Sequence, residues 1–398
     1  MPPLRKLFGP STLVAAAFIG PGTLTTCTLA GVRVGYDLLW VLVLSIAATV
    51  VLQEMAARLG WVTGAGLGEA LNRQFQRGLT RLLVFFLCIG AILIGNAAYE
   101  AGNIAGGVLG MDVLVGPLKI WPVVLGGAAG ALIYLGRYQW VERLLIGLVL
   151  VMSAAFALTA LLIQPDLGAV LRGFLPRLTT EADGLLIAAL VGTTIVPYNL
   201  FLHAAAVSEK YGPGDSLRDL RLENAVGICL GGLVSLLIMI TAAGAGAAVA
   251  EVRSAADMAL VLEPLAGSAA KYLMGVGLFA AGLSSAITAP LAAAYAARGL
   301  FGWPDSEADG RFRAVWLAVL LIGVLVAVVD LPRVLVIQFA QVTNALLLPL
   351  IAGYLLWLCN QRTVMGRRVN SLAANLLGGL VILVTVFLGL RGLYLVFG

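Results

Sequence analysis

Eleven apolar runs, each on the scale of the roughly 20 residues needed to cross hydrocarbon as a helix, fall at 11–31, 38–59, 80–108, 120–136, 142–163, 184–207, 224–249, 270–299, 314–331, 334–359 and 371–396. Lipid offers the backbone no partner, so such runs form helices that satisfy themselves. Of the 398 residues, 61% are hydrophobic and only 11% charged, and the mean hydropathy is +1.01. That is too little charge to clothe a water-soluble domain of this size. The expected fold is an all-α membrane protein of eleven transmembrane helices in one domain, 1–398, with the bilayer as its first partner.

Two of these runs are interrupted, at Gly20-Pro21-Gly22-Thr23 and at Thr193-Thr194-Ile195-Val196-Pro197-Tyr198-Asn199. Pro and Gly inside a span free backbone groups that survive only beside protein or a polar cavity. Matched breaks in two halves point to a transporter's binding site. Five spans precede the polar stretch Gln164 to Asp183, and each set of five then opens on a broken helix. The division expected is a first repeat over 1–163, an inverted second repeat over 184–359, and an added helix at 371–396.

With the N-terminus in the cytoplasm, the 25 basic residues divide 17 inside to 8 outside; Arg5, Lys6, Arg58, Arg73, Arg218 and Arg221 lie inside, Lys119, Arg253 and Arg333 outside. The positive-inside rule therefore puts the N-terminus in the cytoplasm and the C-terminus outside, in a bacterial-type inner membrane. The same asymmetry accounts for the net charge of +5 without a nucleic-acid partner. Cys27, Cys88, Cys229 and Cys359 lie scattered in spans, in a spacing that suggests neither disulfides nor zinc. No cofactor is called for, and one histidine with no paired carboxylate motif gives no enzyme site.

Ala17 to Thr23, Gly35-Tyr36-Asp37 through Gln53-Glu54 to Gly64, and Val196-Pro197-Tyr198-Asn199-Leu200-Phe201-Leu202-His203 together resemble the Nramp family of proton-coupled metal transporters. Gly282 to Thr288 and Gln341 to Pro349 extend the resemblance over most of the chain. It implies a LeuT-like fold with helices one and six broken. Where the family's first motif reads Asp-Pro-Gly-Asn, this chain has Gly20 and Thr23. The family's helix-six methionine is Val196, its alanine Thr193 and its histidine Tyr198; Leu283 replaces a helix-eight glutamine.

These departures remove every carboxylate, thioether and imidazole from the expected metal position. Soft ligands select transition metals, and magnesium sites normally hold a carboxylate. Gly20, Gly22, Thr23, Thr193, Thr194, Tyr198 and Asn199 remain as substrate-binding candidates, all neutral. Two helix N-termini supply about one positive charge between them. The backbone at a break does not choose a sign; the hydroxyl and amide donors, the close approach to bare N–H groups and the missing negative charge do, so the substrate expected is a small organic anion, a carboxylate or dicarboxylate, moved in symport with a proton. The alternative is a divalent cation, magnesium ahead of manganese or iron.

For the proton the candidates are Glu100, mid-span in helix three, and His203 in helix six, since charges in hydrocarbon face cavities and act there. The bland reading is a polar cluster locking helices three and six. The resemblance weakens the proton path, because the family's aspartate one turn before Glu100 is Ala97. Asn96, Asn103, Gln341 and Asn344 are weaker cavity-lining candidates. Glu54 and Arg58 read as an i,i+4 pair at the interface, and Ala242 to Ala248 and Gly126 to Gly130 as packing faces.

Overall fold

A computed structural model describes residues 10, 19–76, 78–136, 138–177, 183–212, 214–245, 251–304, 306–329 and 331–397. The regular elements among them are all helical. The principal ones are α1 (Pro21–Val34), α2 (Leu39–Thr63), α3 (Gly78–Leu114), α4 (Trp121–Leu135), α5 (Tyr138–Ile163) and α6 (Asp183–Thr194). They continue as α7 (Pro197–Lys210), α8 (Leu217–Ala245), α9 (Ala270–Phe301), α10 (Gly310–Val328), α11 (Arg333–Cys359) and α12 (Leu372–Phe397).

Nine helical stretches among the described residues are long and apolar enough to cross a bilayer, α6 and α7 counting as one, and α4 adds a shorter apolar helix. The first run contributes α1; its N-terminal half, 11–18, lies outside the described residues, as do Arg5 and Lys6. The span limits expected for the third and seventh runs were too short. α3 covers Gly78–Leu114 and α8 begins at Leu217. Both helices carry turns with charged residues beyond the apolar run, and hydropathy registers lipid contact, not helix. The stretch Gln164 to Asp183 likewise contains a short helix, Leu167–Gly173, whose first turn is capped by Asp166 accepting from Gly168 N at 2.8 Å.

Small residues set how the helices meet. In α3, Gly106 lies under Pro21 of α1, Gly107 meets the backbone of Gly282 in α9, and Gly110 meets Gly275 and Phe279 of α9. A side chain at Gly106 would push against α1 and one at Gly110 against α9, so α3 packs closely on both. α3 also carries α10 and α11, while α1 is held by α8, α6 and α11. The expected packing faces hold in part: Gly126 and Gly130 press on Val324 and Leu320 of α10, and Ala242 lies against Gly31 of α1, but Gly127 meets nothing. Gly246 to Ala248 lie outside the described residues.

Candidate substrate site

Both breaks are helix starts with proline in the first turn, where its missing N–H would be unpaired anyway. Gly20 stands before α1 with extended backbone, φ −104° and ψ −175°, and Val196 before α7 with φ −91° and ψ 122°. α6 ends at Thr194, two residues short of Val196. Ile195 N–H still reaches back to Val191 O at 2.8 Å, while Asn199 N–H bonds Val196 O at 3.1 Å.

The fold brings the breaks into contact. Thr23 Oγ1 and Thr193 Oγ1 lie 2.8 Å apart across 170 residues of sequence, both buried. Gly20 faces Ser285 Oγ of α9 and Tyr99 OH of α3, and Gly22 lies against the side-chain amide of Gln341 in α11. The rings of Tyr99 and Tyr198 meet edge to face, centroids 5.6 Å apart. Asn199 is buried with neither side-chain atom bonded, and Gln341 Oε1 is also without a partner. A buried polar atom left unpaired costs free energy comparable to a lost hydrogen bond. These atoms are consistent with a place that a substrate completes.

The seven candidates therefore surround one region, with one reassignment. Thr194 spends its hydroxyl on Leu190 O in its own helix, at 3.0 Å, and offers its carbonyl, which accepts from Thr49 Oγ1 at 3.4 Å. Among the weaker candidates Gln341 adjoins the region, whereas Asn344 braces the helices, donating to Gly192 O at 3.4 Å. Gly192 is required for this closeness, because a Cβ there would fall inside the carbonyl of Gln341. Asn96 donates to Ile92 O at 2.9 Å within α3.

Glu100 and His203 have different partners. Glu100 accepts from Asn103 Nδ2 at 3.2 Å, and its stem lies against Gly323 of α10. His203 Nδ1 lies 2.9 Å from Gln53 Oε1 of α2; with that oxygen accepting, Nδ1 carries the proton and Nε2 is left as an acceptor without a partner. No hydrogen bond joins the two residues among those described, and His203 ties helix six to helix two. Gln53, Thr49, Tyr99 and Ser285 were absent from the sequence-based site. Ser45, Thr49 and Gln53 recur at i+4 inside an apolar span, and that polar stripe was the available signal.

The region is closed. Gly20, Gly22, Thr23, Thr193, Thr194, Tyr198 and Asn199 are all buried. A hollow of about 30 Å³ beside them, lined by Ile19, Ser284 and Ser285 among others, is of the size of one water. Among the described residues no group of three or more His, Cys, Asp or Glu could hold a metal ion. Any ion seated here would meet neutral oxygens and water.

Residues 11–395 match the family described as natural resistance-associated macrophage protein-like. The chain belongs to the Nramp family. Among its relatives, the divalent metal cation transporter MntH of Yersinia pestis (strain Pestoides F) is 30% identical over 399 residues, covering 96% of this chain and 94% of that protein. MntH of Yersinia enterocolitica serotype O:8 is 29% identical over 402 residues, covering 96% and 93%. The structure of the Eremococcus coleocola manganese transporter superimposes with a TM-score of 0.79 at 23% identity, over 96% of this chain and 85% of that one. Mhp1 in its inward-facing conformation superimposes with a TM-score of 0.63 at 17% identity, over 98% and 90%. This Nramp protein is thus an integral membrane transporter with a LeuT-like fold.

These relatives overturn the expectation of a small organic anion, carboxylate or dicarboxylate, as partner, and with it that of anion–proton symport, because those named are divalent metal cation transporters. The error was electrostatic. The neutral hydroxyl and amide side chains were given the deciding role as donors, beside a break that also exposes a carbonyl, that of Thr194 where α6 ends. Hydroxyl and amide side chains accept as readily as they donate, so a neutral site does not choose the sign of its ligand.

Proposed function

We propose that this Nramp protein carries a divalent metal cation through the bilayer by alternating access, performing no chemistry on it, with the ion seated where α1 meets the α6–α7 break. The observation that supports this is the convergence of oxygens from both breaks and α11: the facing hydroxyls of Thr23 and Thr193, the open amide of Asn199 and the open Oε1 of Gln341. The naming of its relatives as divalent metal cation transporters points the same way.

Neutral oxygens do not repay the cost of stripping a doubly charged ion of its water. The site therefore suits an ion that travels with much of its shell. Magnesium dehydrates reluctantly and binds through few direct ligands, whereas manganese and iron gain most from the carboxylate and sulfur that Gly20 and Val196 do not supply. Magnesium is accordingly the first cargo of this reading and manganese the second. The same reading takes 1–163 and 184–359 as inverted five-helix repeats around the site, with α12 added. It sets the N-terminus in the cytoplasm of a bacterial-type inner membrane, from the basic residues.

The test is flux into proteoliposomes holding a magnesium-sensitive dye or a manganese-quenched dye. Saturable uptake of magnesium exceeding that of manganese is expected. Liposomes that take up neither ion faster than protein-free controls would overturn the proposal.

A further inference from the structure

A second cavity among the described residues lies away from the helix breaks. It is a groove of about 590 Å³ with almost wholly apolar walls, on the outer side of the seam where α3, α10 and α11 meet. Its floor is Ala97, Ala98 and Ala101 of α3. Ile322 and Val326 of α10 form one wall, and Leu335 and Phe339 of α11 the other. The groove exists because the floor is alanine while α10 and α11 are held at fixed distance on either side. Gly323 of α10 seats on the stem of Glu100, and Ala340 and Ile337 of α11 seat on Gly102. Over 97–101 α3 presents only alanines to the groove, with Leu93 and Ile94 lining it further along the helix. Ala97 is also the position where the family carries an aspartate, so a polar position has here become part of an apolar trough.

We propose that this groove is a binding site for one phospholipid acyl chain, with the lipid's phosphate at the Arg333 end. Three observations favour that occupant. The rim is exposed and apolar, with Ile94, Ile322, Leu335 and Phe339 all open to the surroundings on membrane-crossing helices, and the molecules present at that depth are lipids. The volume corresponds to about 20 non-hydrogen atoms at about 30 Å³ each, the scale of an acyl chain. The third is polarity at one end only. Arg333 opens α11 two residues beyond Leu331, which lines the groove, and among the described residues only one of its nitrogens, Nη1, is bound, to Asp112 Oδ2 of α3 at 2.6 Å. A guanidinium has five N–H donors. Donors remain for a phosphate, and the side chain is about one-third exposed (32%). Thr343, the polar residue of the lining, turns its hydroxyl inward to Phe339 O at 2.8 Å and leaves the trough apolar.

The test compares the purified protein with the double variant Ala98→Leu, Ala101→Leu, which puts two larger side chains into the trough floor. Both are exchanged into a delipidating detergent, supplied with phosphatidylglycerol, and examined by native mass spectrometry and by thermal unfolding. The parent is expected to retain one phosphatidylglycerol and to unfold at higher temperature when it is present. In the filled variant retention falls at least about tenfold, the loss of contact with roughly two methylenes, and the thermal increment disappears. Unfolding of the variant without lipid at or above the parent's temperature shows that it folds. Should it fall below, Thr343→Leu, which fills the trough from α11, takes its place. Equal retention by parent and filled variant, no retained lipid in the parent, or dimers disulfide-linked in the variants Leu335→Cys or Phe339→Cys in place of lipid, would each overturn the proposal.

Discussion

Replacing Gly20 by aspartate tests the sign of the charge that this site accepts. The backbone permits it: φ −104° and ψ −175° suit any L-residue. The new Cβ would stand 3.1 Å from Ser285 Oγ and 3.5 Å from Tyr99 OH. The serine must yield a few tenths of an ångström, which a hydroxyl rotor allows. A carboxylate about 4 Å from a doubly charged ion attracts it by about 8 kcal/mol at an effective dielectric constant of about 20. Desolvating the carboxylate costs several kcal/mol of this. A net gain of about 1.4–3 kcal/mol remains, or a ten- to hundredfold tighter dissociation constant. Isothermal titration of magnesium and manganese into purified parent and Gly20→Asp measures it directly. Both ions are expected to tighten, manganese more, since it gives up its water more readily. Unchanged or weaker binding of both ions would refute the reasoning and move the cation away from Gly20.

Three further outcomes follow from the contacts. Thr23→Val leaves the buried Thr193 hydroxyl without its partner and should cost about 1–2 kcal/mol in thermal unfolding, with the double variant Thr23→Val, Thr193→Val costing less than the sum of the two singles; strict additivity would deny the bond. Gly192→Ala drives a methyl into the Gln341 carbonyl and should lower both expression and flux, with thermal unfolding at least about 2 kcal/mol less stable; a parent-like melting curve would mean that α6 and α11 are not so close. Arg58 is buried, bonded to Glu54 at 3.1 Å, to the Arg368 carbonyl and to Asn370, while Glu54 also binds Arg221 of α8 at 2.8 Å. Glu54→Gln removes the carboxylate that balances the buried Arg58 while its bonds to Arg368 and Asn370 remain, and should destabilise by about 1–3 kcal/mol, more than Arg221→Gln, whose side chain is half exposed; equal melting temperatures for the two variants would contradict this ordering.

The Glu54–Arg58 pair shows how far a local pattern reaches. The i,i+4 spacing correctly anticipated the bond between them, but not that Arg58 would be 3% exposed and tied to a loop 310 residues away. His203 is a similar case. Its intramembrane position was legible as a polar group needing a partner, but the partner, Gln53, lies 150 residues distant. The sequence names the need and leaves the answer to the packing of α7 on α2.

What the chain determines unaided is what the bilayer imposes on it. Apolar length dictates helices, since nothing else satisfies the backbone in lipid, and Pro21 and Pro197 dictate where two of them start, since proline has no N–H to give. Close packing of α3 is foreshadowed by Gly106, Gly107 and Gly110, though that the first meets α1 and the last α9 is not. Tertiary structure alone decided that Thr23 meets Thr193, that Thr194 offers a carbonyl in place of its hydroxyl, and that Gln341, already a cavity-lining candidate, lies against Gly22. It also decided that Ala97, Ala98 and Ala101 floor a groove instead of vanishing into a packed core. The sign of the substrate's charge was legible in neither the composition nor the breaks. A neutral hydroxyl or amide carries donor and acceptor together, and which one faces the ligand depends on where the neighbouring helices hold it.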